Sequence, residues 1–156
     1  MRDATEIEQR YLVTPEAMPP LPPGALLEQC YLGFEPVVRV RVEGDRAWLT
    51  AKGPGLRERR EVEVEIPVAA ARALAELRVR GTAVIRKMRH RVPWEGRTWE
   101  VDVYREPLEG LVIAEVELAD PGEAPAPPPW VGREVTDDPF YTNASLARLR
   151  RWPPER

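Results

Sequence analysis

The stretch Arg59-Arg60-Glu61-Val62-Glu63-Val64-Glu65-Ile66 alternates charged and apolar residues over its last six positions. A period of two places Arg59, Glu61, Glu63 and Glu65 on one face of a strand and Val62, Val64 and Ile66 on the other. Seven more stretches read the same way: Thr5–Val13, Leu26–Gly33, Val37–Glu43, Arg46–Lys52, Thr82–Val92, Thr98–Tyr104 and Leu111–Leu118. Short turns at Glu43-Gly44-Asp45, Gly53-Pro54-Gly55 and Glu95-Gly96 make successive strands antiparallel.

The charges keep to one face throughout. Glu6, Glu8 and Arg10 oppose Ile7 and Tyr11; Arg39 and Arg41 oppose Val38, Val40 and Val42; Lys52 opposes Leu49 and Ala51. Lys87, Arg89 and Arg91 oppose Met88 and Val92, Glu100 and Asp102 oppose Trp99, Val101 and Val103, and Glu115 and Glu117 oppose Ala114 and Val116. A solvated sheet face explains such alternation by itself, with cross-strand Arg–Glu pairs adding little stability.

Two helices complicate that reading. Val68–Val79 sets Ala70, Leu74 and Leu77 on one face, and a second helix starts with Asp138 as N-cap and Pro139 in its first turn, bringing Leu146 and Leu149 together. Both must pack on the apolar face. If the sheet closes, the charged face becomes the interior. Eight antiparallel strands suffice for a closed β-barrel, with a two-sheet sandwich as the competing layout. The expected fold is therefore mainly β: a closed eight-stranded antiparallel barrel with a charged interior and a few helices outside. Such an interior holds water, ions or a charged ligand, because unpaired buried charges are costly. Arg and Lys set beside Glu and Asp suit a polyanion carried with divalent cations.

Composition narrows the function. The 156 residues fit one domain over 1–156, 43% hydrophobic and 31% charged, as in ordinary soluble proteins. No apolar run reaches the roughly 20 residues that span a bilayer, and Met1-Arg2-Asp3 begins no signal peptide. A net charge of −3 argues against nucleic-acid binding. Cys30 is the lone cysteine, which excludes an intrachain disulfide and points to a cytoplasmic location. Pro15–Pro23 and Pro121–Pro129 read as extended surface connections. His90 shares the apolar parity of Met88 and Val92 and reads as structural; Trp48, Trp94, Trp99, Trp130 and Trp152 read as packing residues.

These motifs also resemble a known family. Glu6-Ile7-Glu8-Gln9-Arg10 is similar to the N-terminal E-x-E-x-K signature of the CYTH proteins, or triphosphate tunnel metalloenzymes. Arg39-Val40-Arg41, Leu49-Thr50-Ala51-Lys52-Gly53, Arg59-Arg60-Glu61-Val62-Glu63, Lys87-Met88-Arg89, Glu100-Val101-Asp102-Val103 and Glu115-Val116-Glu117 come next, in the family's order. The tail Pro128–Thr136 and Tyr141-Thr142-Asn143 resembles the short bacterial branch, whose members most like this chain are inorganic tripolyphosphatases. Relatives in the family include class IV adenylate cyclases and thiamine triphosphatases. A non-catalytic triphosphate binder is a further alternative.

The resemblance implies Mg²⁺ or Mn²⁺ bound by Glu6, Glu8, Glu115 and Glu117, with Asp102 close behind. Glu61 and Glu63 would hold a second metal or orient arginines. Arg39, Arg41, Lys52, Arg59, Lys87 and Arg89 would clamp the phosphates. A homodimer is expected by analogy. In some tripolyphosphatases the signature Lys, paired with a Tyr matched here by Tyr31, has been suggested to activate water. Position 10 is Arg in this chain, and a guanidinium titrates too high to act as a base. The expectation is that Arg10 binds phosphate and that metal coordination alone lowers the water pKa.

Overall fold

All eight alternating stretches form strands: β1 (Arg2–Leu12), β2 (Ala25–Phe34), β3 (Val37–Glu43), β4 (Arg46–Lys52), β5 (Glu58–Ile66), β6 (Ile85–Trp94), β7 (Arg97–Tyr104) and β8 (Val112–Glu117). The structure is a computed structural model, described over residues 1–154. The strands close in the order β1-β5-β4-β3-β2-β6-β7-β8, all neighbours antiparallel, and this barrel excludes the sandwich. The β6–β7 hairpin turns on Glu95 and Gly96, both at positive φ (46° and 76°), the conformation that a two-residue turn between right-twisted strands requires.

β1 changes partner midway. Its residues 2–7 pair with β5 and residues 8–12 with β8. The edge of residues 10–12 left beyond β5 is covered by the segment 132–136. Leu12 N–H donates to Arg133 O (2.9 Å), Gly132 N–H to Leu12 O (2.7 Å) and Val135 N–H to Arg10 O (2.8 Å). A Cβ at Gly132 would stand 3.1 Å from the Leu12 carbonyl oxygen, so the close approach favours glycine there.

Two of the three apolar clusters lie outside the barrel wall and one fills an end of its interior. Ile7, Tyr11, Trp99, Val101 and Val116 form one cluster, covered by Met18, Leu21 and Trp130 from the Pro-rich connections. A second, of Ile85, Tyr104, Leu111 and Leu146, sits at one end of the interior, where Ile85 and Tyr104 share the inward parity of Lys87 and Asp102, and a third, outside, joins Cys30, Val40, Val42 and Ala71. Parity thus sent most apolar strand residues outward and most charges inward, with Asp3–Arg60 and Glu28–Arg86 as charge pairs on the outside. His90 faces outward with its Nδ1 2.7 Å from Pro22 O, and its ring lies so close to Gly24 that a Cβ there would stand 2.6 Å away.

Both helices depart from the sequence reading. The first, α1 (Val68–Ala75), is shorter than expected, and Leu77 lies beyond its end, 73% exposed. The packed residues are Val68, Ala71, Leu74 and Ala75 rather than Ala70, Leu74 and Leu77. The chain turns at Glu76, and Val79 N–H then donates to Tyr31 O, which pulls it back to the barrel. The second is not continuous. Asp138 does cap, accepting from Phe140 N–H at 3.0 Å, but the turn it caps is a short 3₁₀ helix over Pro139–Tyr141. Thr142 is extended and caps a separate helix, α2 (Asn143–Leu146). Pro15–Ala17 within the first Pro-rich connection is likewise a 3₁₀ turn.

Candidate active site

The inward charges line a cavity of about 170 Å³ inside the barrel. It collects Glu6, Glu8, Arg10, Tyr31, Arg39, Arg41, Lys52, Arg59, Glu61, Glu63, Lys87, Arg89, Glu115 and Glu117. Asp102 alone among the sequence-derived candidates does not line it.

Carboxylates concentrate on β1, β8 and β5. Arg10 stands between Glu8 and Glu115, with Nη2 donating to Glu8 Oε1 (2.9 Å) and Nε 3.2 Å from Glu115 Oε1. Its remaining Nη1 donates to the backbone oxygen of Tyr141 at 2.7 Å. Burial, then the Glu115 charge, pushes the Glu8 carboxyl up to about 7. Burial works against the Arg10 charge, but Glu115 and Glu8 outweigh it and raise the guanidinium above its ordinary range. Lys52 forms the second junction, 2.8 Å from Glu6 and 3.1 Å from Glu61, with Arg59 3.7 Å from Glu6. Lys52 and Arg59 hold the Glu6 carboxyl well below the usual range against the cost of burial, whereas burial and sharing with Glu6 raise that of Glu61.

Bases dominate the wall formed by β3 and β6. Arg39 lies 3.6 Å from Glu63, which also accepts from Thr50 Oγ1 at 2.8 Å. Lys87 and Arg89 converge on Asp102, at 2.7 Å and, bidentate, at 2.8 Å. Asp102 is 0% exposed and both its oxygens are taken. It supports two cavity cations from behind the wall. Parity alone could not separate this position from Glu100 beside it, which does line the cavity.

The two ends differ. Arg2 and Glu117 line one end with side chains 50% and 62% exposed. At the other, Arg10, Tyr31 and Tyr104 are buried, and Thr142, Asn143 and Ala144 of the C-terminal segment line the cavity. Asn143 Oδ1 accepts from Tyr104 OH (2.6 Å) and Lys87 Nζ (3.4 Å). Burial raises the Tyr31 and Tyr104 phenols, so both keep their protons near neutrality.

The sequence reading missed Arg2, Arg91, Glu100 and Asn143 as cavity-lining residues, and Tyr104 bonded to Asn143 beside them. Arg2 and Tyr104 share the inward parity of Glu6 and Asp102, which was a usable signal. Asn143 had none, because it enters from an irregular segment. Trp48 also departs from its reading as core packing: it shares the inward parity of Thr50 and Lys52 and meets Arg41 and Arg46.

Among the described residues, no three His, Cys, Asp or Glu side chains are gathered as at a ready metal site. The carboxylates are spread by Arg10, Lys52 and Arg59. The donor set nevertheless fits a hard dication. Glu8 and Glu115 are buried carboxylates that repel each other, and buried Glu115 Oε1 and Glu61 Oε2 accept no hydrogen bond, facing Arg10 and Lys52 only as ion-pair partners at 3.2 and 3.1 Å.

A closed antiparallel barrel with carboxylates facing bases across its interior defines a class, and residues 23–146 match the CYTH domain family. The chain belongs to that family. It is 43% identical over 146 residues to an inorganic triphosphatase of Acetivibrio thermocellus, covering 92% of this chain and 93% of that protein. An inorganic triphosphatase of Nitrosomonas europaea is 33% identical over 152 residues, covering 92% and 97%. The crystal structure of the inorganic triphosphatase NE1496 superposes with a TM-score of 0.67 at 31% identity, covering 95% and 97% of the two chains.

Proposed function

We propose that this chain is a metal-dependent triphosphatase that cleaves inorganic triphosphate to diphosphate and phosphate inside the barrel. The observation that carries this reading is the opposition of two walls in one cavity, Glu6, Glu8 and Glu115 against Arg39, Arg41, Lys87 and Arg89. Glu6, Glu8, Glu115 and Glu117 would hold Mg²⁺ or Mn²⁺, which supplies Lewis-acid activation of water and neutralises phosphoryl oxygens. Arg39 and Arg41 offer paired donors to phosphoryl oxygens, while Lys52, Arg59 and Lys87 add positive charge along the chain, as does Arg89, whose own donors are taken by carboxylates. Water forms a bond to the terminal phosphorus as the bridging P–O bond breaks, and the clamp offsets charge on the departing diphosphate. Asp102 keeps Lys87 and Arg89 in place. Glu61 and Glu63 orient Lys52 and Arg39. Tyr31, held protonated, offers its hydroxyl as a hydrogen-bond donor and is not a base. The cytoplasm suits the lone, buried Cys30; no helix among the described residues is long and apolar enough to cross a membrane.

The direct test incubates the protein with tripolyphosphate, ATP and thiamine triphosphate, with and without Mg²⁺ or Mn²⁺. Phosphate release from tripolyphosphate alone, and only with metal, is the expected result; cyclic AMP from ATP would replace this reading with a cyclase. Activity should also climb with pH through the region near 7. Glu8 is raised to about 7, so at lower pH its proton competes with the cation.

Arg10 carries a second test. Two of its groups donate to Glu8 and Tyr141 O, and Nε lies 3.2 Å from Glu115 as an ion pair, so it braces the closed end instead of standing free for phosphate. Arg10→Lys keeps the charge between the carboxylates but cannot span all three partners. Losing one charge-assisted hydrogen bond should lower kcat roughly tenfold and leave the acid limb of the pH–rate profile where Glu8 sets it. A new limb in the variant would instead show that position 10 moves a proton.

A further inference from the structure

Four cavity cations have a close carboxylate partner, at 2.9 Å for Arg10, 2.8 Å for Lys52, 2.7 Å for Lys87 and 2.8 Å for Arg89, while Arg39 and Arg59 stand farther off, at 3.6 and 3.7 Å. Arg41 differs. Its ion pair, with Glu63 Oε2, is 3.9 Å long, and that carboxylate also serves Arg39 and Thr50. The Arg41 Nε, like those of Arg10 and Arg39, is buried and has no hydrogen-bond partner. Trp48 lies directly opposite Arg41 in the β3–β4 register, and the guanidinium carbon stands 5.3 Å from the centre of its ring.

Arg46 touches the same indole, at 5.1 Å. It is exposed, however, and saturated by a two-point contact with Glu65 at 3.0 and 2.9 Å. The indole is therefore fixed at the edge of the cavity by an arginine that is already neutralised, while it holds one that is not. An aromatic face attracts a guanidinium without cancelling its charge. A carboxylate in that place would cancel it.

We propose that Trp48 is a positioning residue for Arg41: it holds the guanidinium toward the cavity by a cation–π contact and so leaves its charge uncompensated for a phosphoryl group. This rests on the triphosphatase reading of the same cavity. Like-charge crowding agrees with it, since burial, then Arg39 and Arg89, push Arg41 down to about 10. An incoming polyanion relieves that crowding, which gives the substrate its pull at this position.

The test compares wild type with Trp48→Leu and Trp48→Phe, measuring steady-state hydrolysis of tripolyphosphate and calorimetric binding of diphosphate. Trp48→Leu should raise KM and weaken diphosphate binding roughly three- to tenfold, with kcat within about twofold. Trp48→Phe, which keeps a π face, should recover most of that loss. In an Arg41→Ala background Trp48→Leu should have no further effect. If Trp48→Leu does not fold, Trp48→Met carries the same comparison. Unchanged KM in the ring-less variant, no recovery by Phe, or an undiminished effect without Arg41 each overturns the proposal. A wild-type protein that neither binds nor hydrolyses tripolyphosphate would instead overturn the functional reading, and this proposal with it.

Discussion

Asp102→Asn is expected to lower folding stability by about 3–5 kcal/mol, because it removes the counter-charge from two buried cations and gives them an amide donor in its place. Lys87 and Arg89 reach Asp102 at 2.7 and 2.8 Å, and the carboxylate is wholly buried. For a chain of this size the loss corresponds to a melting midpoint lower by roughly 10 °C. Charge, and not shape, is the cause, and pH separates the two. Burial disfavours the charged carboxylate, yet Arg89 and Lys87 hold Asp102 well below the ordinary aspartate range. A folded-state pKa depressed below the unfolded value of about 4 contributes stability that is present above that pH and is lost as pH falls toward the folded pKa. The gap between wild type and Asp102→Asn should therefore narrow below about pH 4, as measured by urea denaturation. A gap that stays constant in acid would mean that packing, and not the ion triad, accounts for it.

Glu115→Gln should have the largest effect on turnover, a fall of roughly 100-fold or more in kcat/KM, since it removes one of the two buried carboxylates that face each other across Arg10. Isothermal titration with Mn²⁺ should show weaker binding in parallel. The same substitution relieves the repulsion that helps raise Glu8, so the acid limb of the remaining activity should move to lower pH. Activity within tenfold of wild type at saturating metal would place the cation elsewhere.

Much of this was legible along the chain. Alternation in Arg59–Ile66 and its seven counterparts located the strands, and a period of two placed most of their charges on a common face. Sandwich or barrel was less legible, because closure depends on β1 pairing with both β5 and β8, partners far from it in sequence. The helices were least so. Thr142 breaks the C-terminal helix by taking an extended backbone and capping anew, while the Tyr141 carbonyl before it accepts a bond from Arg10.

Side-chain parity is a local property of the backbone, so the sequence by itself determined that most strand charges of this protein share one face and that Cys30 and His90 do not belong to it. Partnership is not local. Which cation meets which carboxylate depends on strand register, on the shear of the closed barrel and on the segment 132–146 that returns to β1. Only the tertiary structure decided that Asp102 is consumed by Lys87 and Arg89, that Arg10 braces the closed end, and that Arg41 faces the cavity held by an indole in place of a close carboxylate. Each pairing joins residues distant along the chain or on different strands, and no period within one strand encodes it.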